Sequence, residues 1–147
     1  MKGDQEMAMV TPEVTTILVV DDESVVLETV RDGLKSHGYK VLTAANAEAA
    51  LQIAETHQGP ITVLLVDVVM PGLNGPEVAE RVHAIRPDTK VLFMSGFSNE
   101  IVMVHGIKEG DPFIIKPFSF ETLRRKIQEL LAVRPSPFAR PPQTPDR

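Results

Sequence analysis

The sequence predicts an α/β fold, a parallel sheet wound with helices on both faces, and three observations predict it. Short β-branched runs alternate strictly with helical segments. The runs are almost wholly apolar, as strands buried on both faces must be, and the connections between elements are short. The ends of the runs carry polar residues, and in sheets of this kind ligands bind outside the carboxyl ends of the strands.

Taken in order, residues 1 to about 15 show no strand or helix period and include Pro12, and are expected to form a flexible lead. Thr16 to Val20 (TILVV) is the first strand and terminates in Asp21 and Asp22. Val25, Val26, Thr29, Val30 and Leu34 then recur at helical spacing, and Gly38 is a natural C-terminal stop. Tyr39 to Ala44 alternates like a strand, and Asn46 is placed to cap the alanine-rich helix that ends before Gly59 and Pro60. Ile61 to Asp67 reads as a fully buried strand ending on a carboxylate, after which Pro71, Gly72, Asn74 and Gly75 force a loop. Pro76 suits the first turn of a third helix whose stripe is Val78, Val82 and Ile85 and which stops at Pro87.

Lys90 to Met94 is the fourth strand, followed by Ser95 and Gly96. Ser98 to Glu109 has the length and pattern of a helix, but Ile101, Val102, Val104 and Gly106 are mediocre or poor helix formers, so it is expected to be the least rigid one. Phe113 to Ile115 is a brief fifth strand before Lys116 and Pro117. Ser119 caps a last helix with Leu123, Ile127, Leu130 and Leu131 on one face. From Arg134 onward proline recurs too often for helix or sheet, which predicts a disordered tail over 134–147 and a single domain over 16–133.

Composition narrows the function. The 147 residues are 43% hydrophobic and 24% charged, ordinary for one globular domain, and the net charge of -5 argues against nonspecific nucleic-acid binding. There is no cysteine, which excludes disulfides, thiolate metal sites and cysteine nucleophiles. No apolar run reaches the roughly 18 residues of a membrane helix, and the N-terminus lacks the apolar centre of a signal peptide, so a cytoplasmic protein is expected.

The strand ends bring together Asp21, Asp22, Asp67, Ser95 and Lys116. Three carboxylates in one crevice repel and require cations. Lys116 is one, and magnesium suits the remainder because it takes one or two carboxylates and leaves room for phosphate oxygens. Asp67 could then attack phosphorus, with the Ser95 hydroxyl and Lys116 helping to neutralise the transferring oxygens.

These elements resemble the response-regulator receiver domain of two-component signalling: VVDDE at 19 to 23, DVVMPGLNG at 67 to 75, MSG at 94 to 96 and KPF at 116 to 118. The resemblance implies a flavodoxin-like five-stranded parallel sheet of order 2-1-3-4-5 with five helices. It implies Asp67 as phosphoacceptor, Asp22 and the Val69 backbone carbonyl as direct magnesium ligands beside Asp67, and Asp21 holding the metal largely through water. Ser95 and Lys116 would contact the phosphoryl group, and the peptide bond before Pro117 would be cis. The donor would be a sensor histidine kinase or a histidine phosphotransfer protein. The output would be an unidentified downstream protein, onward transfer, or a homodimer through the fourth helix, fifth strand and fifth helix. The chain would be a switch rather than an enzyme, acting only in its own phosphorylation and dephosphorylation. Two positions depart from the best-known pattern: the switch residue is Phe113 rather than tyrosine, and Ser95 replaces threonine. SGF at 95 to 97 and the DVVMPGLNGPE loop also resemble receivers attached to hybrid histidine kinases, so a stand-alone receiver and a hybrid-kinase receiver both fit.

Each residue alone has a plainer reading: Asp21 and Asp22 as a hydrated helix start, Lys116 as a surface lysine, Ser95 as a turn residue, Phe113 as a core aromatic. Their joint placement at one sheet edge favours a site. His37, His57, His83 and His105 share no ligand spacing and read as solvated, and Met70 and Met94 read as core beneath the site. A magnesium-dependent aspartyl-phosphate hydrolase of the haloacid dehalogenase type would need a second aspartate two residues after the nucleophile, where Val69 stands. An unphosphorylated scaffold of the same fold is disfavoured by the intact acidic set.

Overall fold

A computed structural model of the chain describes residues 15–96 and 110–132. Residues 1–14 of the predicted lead, the predicted fourth helix Ser98 to Glu109 and the proline-rich tail lie outside these residues, whereas Thr15, placed at the end of the lead, is buried and its carbonyl accepts the Lys40 amide at 3.0 Å. Five strands, β1 (Thr16–Val20), β2 (Lys40–Ala44), β3 (Val63–Asp67), β4 (Lys90–Ser95) and β5 (Phe113–Ile115), form one parallel sheet in the order β2-β1-β3-β4-β5, as expected. Among the described residues there are four helices: α1 (Ser24–Ser36), α2 (Ala47–Thr56), α3 (Gly75–Ile85) and α4 (Phe120–Ala132).

The period of two along each strand splits the core into two layers. Leu18, Val20, Leu64, Val66, Val91 and Phe93 face α2 and α3, where Ala50, Ala54, Val78, Ala79 and Val82 meet them. Ile17, Val19, Val63, Leu65, Leu92 and Met94 face the other way, against Val30 and Leu34 of α1 and Leu123, Ile127 and Leu130 of α4. Small alanines let α2 approach the sheet closely, and every residue of β1 and β3 is buried.

Helix ends follow local chemistry. Asn46 accepts a hydrogen bond from the Ala49 amide at 2.8 Å, and Ser119 accepts one from the Thr122 amide at 3.0 Å. Asn74 and Glu77 form a reciprocal capping box at α3, each amide donating to the other's side chain at 2.9 Å. At the end of α1, Gly38 adopts φ 93° while its amide reaches the Lys35 carbonyl and the Tyr39 amide reaches Leu34, a Schellman stop.

Three residues of the predicted helical stripes are not core, Thr29 of α1 being exposed as well as Val25 and Ile85. Val25 is 72% exposed because it sits on the first turn of α1, at the rim of the sheet edge, and Ile85 is 37% exposed because α3 ends there. Ala79 fills the buried face of α3 with Val78 and Val82. The residue after Ile85 has a larger part than the stripe suggested. Arg86 donates from Nε to the Ala54 carbonyl (2.7 Å), from Nη1 to Gly59 (2.7 Å) and from Nη2 to His57 (2.6 Å), satisfying carbonyls at and beyond the end of α2 and tying it to α3.

The loop after β3 is held down by Gly75. Its amide donates to the Val68 carbonyl at 2.8 Å, and a Cβ there would stand 2.4 Å from the Asp67 carbonyl oxygen and 2.9 Å from the Val68 Cα. Helix propensity alone would make Gly75→Ala mildly favourable at this first helical position, but the contact is with backbone and cannot be relieved by a rotamer. Gly75→Ala should therefore destabilise the domain by about 1 to 3 kcal/mol in chemical denaturation at unchanged m-value. An unchanged or raised midpoint would show that the loop yields freely.

Candidate functional site

All the strand-end residues singled out above lie at the carboxyl edge of the sheet. Asp67 closes β3 and pairs in register with Met94, one residue before Ser95. Ser95 closes β4, is fully buried, and its carbonyl accepts the Lys116 amide at 2.8 Å. Asp21 and Asp22 follow β1, and Lys116 follows β5. The edge strand β2 ends in Ala44, whose carbonyl accepts the Asp21 amide at 3.2 Å. The Lys116–Pro117 peptide bond is cis.

Above this edge opens a cavity of about 550 Å³ lined by Asp22, Glu23, Val26, Asp67, Val69, Gly96, Lys116 and Pro117. Asp21 lies beneath it with no exposed surface, and both its oxygens are engaged: Oδ1 accepts the Glu23 amide at 2.9 Å and Oδ2 accepts Lys116 Nζ at 3.0 Å. Lys116 Nζ also stands 3.4 Å from Glu23 Oε1 and 3.5 Å from Asp67 Oδ2. One ammonium thus serves three carboxylates. Phe113, the residue three before it, is half-buried and packs against the α2/α3 core layer. Met70 and Met94 are buried, Met94 completely.

The charge balance is unfavourable to Asp67. Burial raises its pKa first, the nearby Asp21 charge raises it further, and Lys116 and a hydrogen bond from the Val69 amide only partly offset these, leaving it at about 6. Burial alone would lower the Lys116 pKa. Its hydrogen bond to Asp21 and the charges of Asp67, Asp21 and Glu23 outweigh that and raise it, so Lys116 stays cationic.

One oxygen each from Asp21, Asp22 and Asp67 lie within 4.8 Å of one another. At that separation and an effective dielectric near 20, each charged pair repels by on the order of 3 kcal/mol. The donors are all hard oxygens, and Val69 lines the same cavity, a set that suits a hard divalent cation such as magnesium. Glu23 and the Val69 amide were not marked by strand-end reasoning. Glu23 stands directly after the acidic pair at the start of α1, and that position is the one signal for it.

The family model for the response regulator receiver domain matches residues 17–128. Over 120 residues the chain is 33% identical to a cyclic di-GMP phosphodiesterase of Thermotoga maritima, covering 81% of this chain and 32% of that protein. It is 35% identical to the sensor kinase CckA of Brucella abortus, again over 120 residues, covering 80% of this chain and 12% of that protein. The chain therefore spans less than a third of either relative. A CheY-like receiver domain protein of Methanospirillum hungatei superposes with a TM-score of 0.72 at 31% identity, covering 81% of this chain and 94% of that one. No described helix is long and apolar enough to cross a membrane.

The raised pKa of Asp67 has a measurable consequence in chelator-treated protein. Between pH 3.8 and about 6 the folded chain retains a proton on Asp67 that the unfolded chain has lost. This stabilisation is complete at low pH, falls as pH rises through that window, and is absent above it. Asp67→Asn should flatten this part of the stability profile and raise stability at neutral pH by on the order of 2 kcal/mol. Superimposable wild-type and variant profiles in thermal unfolding across the window would contradict the strained carboxylate.

Proposed function

The chain belongs to the response-regulator receiver domain family, and from that premise we propose that it is a phosphoacceptor switch whose acceptor is Asp67. The observation that carries this reading is the engagement of Lys116 Nζ, 3.0 Å from Asp21 and 3.5 Å from Asp67, in a cavity walled by Asp22, Asp67 and Val69. A nucleophilic carboxylate, a fixed cation and an oxygen-rich metal cradle are what phosphoryl transfer requires, because catalysis there is chiefly alignment and neutralisation.

In the proposed reaction an Asp67 carboxylate oxygen bonds to the phosphorus of a phosphohistidine on a histidine kinase or phosphotransfer protein. The phosphorus–nitrogen bond breaks, its electron pair stays on the imidazole, and that nitrogen takes a proton. Asp22, Asp67 and the Val69 carbonyl would hold magnesium. Asp21, whose oxygens already bind Lys116 and the Glu23 amide, would act on it indirectly. Bound magnesium would neutralise phosphoryl oxygens during transfer. Lys116 would move from the carboxylates to a phosphoryl oxygen, and the Ser95 hydroxyl would take another.

The switch would then run through Ser95 to Phe113. A half-buried phenylalanine can move inward but makes no hydroxyl hydrogen bond, so packing alone would stabilise the active arrangement. A full reversal of populations would need the phosphoryl group to favour that arrangement by about 5.5 kcal/mol. The surface of the predicted fourth helix with β5 and α4 would meet a downstream protein or a second copy. The receiver unit is taken as 16–133, working in the cytoplasm.

Incubation with magnesium and acetyl phosphate, followed by intact mass spectrometry, should add one phosphoryl group to the wild type. None should appear on Asp67→Asn or after chelation. Asp22→Ala should weaken magnesium binding by about tenfold or more, whereas Phe113→Ala should leave it nearly unchanged. Absence of an adduct with acetyl phosphate and with phosphorylated kinases alike would refute the phosphoacceptor reading.

A further inference from the structure

Glu23 is the N-cap residue of α1, yet its side chain makes no capping hydrogen bond, and no acidic residue occupies that helix's first turn. Asn46, Asn74 and Ser119 all cap the helices they precede. The Glu23 carboxylate is turned to Lys116 instead, 3.4 Å from Nζ, on the wall of the cavity and with 63% of its side chain exposed. It adds a fourth carboxylate to Asp21, Asp22 and Asp67 at a site whose fixed cation is Lys116. Such a concentration of one sign in a cleft repels an approaching anion over several ångströms.

Resting on the phosphoacceptor reading, we infer that Glu23 is a specificity-determining residue for the phosphoryl donor. Its carboxylate discriminates against small, freely diffusing anionic donors by extending the acidic wall to the mouth and by competing for Lys116. A phosphohistidine carried on a docked protein surface can offset this repulsion with its own contacts, whereas a free dianion cannot. An exposed pair of this kind adds little to stability, so its removal changes rate and not fold.

The test measures the second-order rate constant for phosphorylation of full-length wild type, Glu23→Gln and Glu23→Asp at saturating magnesium. With acetyl phosphate, an Asp67 oxygen–phosphorus bond forms as the bridging oxygen–phosphorus bond breaks, and acetate leaves with the electron pair. Glu23→Gln should be about 2- to 5-fold faster at low ionic strength, the scale of an exposed charge. The gain should vanish in molar salt, where screening is nearly complete. It should be smaller for phosphoramidate, which carries less negative charge, and Glu23→Asp should stay close to wild type. Equal rates for wild type and Glu23→Gln at low salt, or a gain indifferent to salt and to donor charge, would overturn the proposal while leaving the phosphoacceptor reading intact. No adduct on any of the three proteins would overturn both.

Discussion

The structure turns on a single ammonium. Lys116 is anchored at its backbone by the Ser95 carbonyl and at its side chain by Asp21, Glu23 and Asp67, so β1, β3, β4 and β5 are joined through one residue at the edge of the sheet. Without it, buried Asp21 and nearly buried Asp67 would face each other with no fixed positive charge between them, an arrangement that folding could retain only by protonating one. Even with Lys116 in place, burial first and the Asp21 charge second hold the Asp67 carboxyl above the usual carboxylate range. The site thus gathers hard oxygen donors whose negative charge Lys116 offsets only in part.

The scaffold keeps this imbalance in place. Two apolar layers grip the sheet from both sides, Arg86 locks the end of α2 to α3, and Gly75 presses the loop after β3 against the Asp67 carbonyl. The carboxylate therefore cannot retreat into solvent by relaxing the strand that bears it. The scaffold thereby holds an unfavourable charge at the open edge of the sheet, as the proposed phosphoacceptor role requires.

The architecture was legible because its signals are periodic and redundant. Strands buried on both faces wrote themselves as unbroken apolar runs, Asn46 and Ser119 marked helix starts, and Gly38 marked a stop, so a parallel sheet covered on both faces followed from the alternation, while the strand order came from the family resemblance and the division of the core into two layers from the structure. Asp67 stood out because a charge at the end of a buried strand demands partners. Less legible were features whose meaning depends on a distant element. Arg86 reads as one more surface arginine until α2 lies beside it. Gly75 reads as a loop former until the Asp67 carbonyl is found against it. Glu23 reads as a helix-start acid until Lys116, 93 residues away, arrives beside it. Val25 and Ile85 misled in the opposite sense, since helical spacing says which face a residue shares but not whether the neighbouring layer extends far enough to cover it.

The central claim is that Lys116 is held among carboxylates so that it can be handed to a phosphoryl group on Asp67. A crystal structure of the chain with magnesium and beryllofluoride, a phosphoryl mimic, tests this most directly. The account predicts beryllium bonded to an Asp67 carboxylate oxygen, one fluoride within hydrogen-bond distance of Lys116 Nζ and another of the Ser95 hydroxyl. Beryllofluoride bonded to a different carboxylate, or bound at Asp67 with Lys116 still paired to Asp21 and making no contact with fluoride, would contradict it.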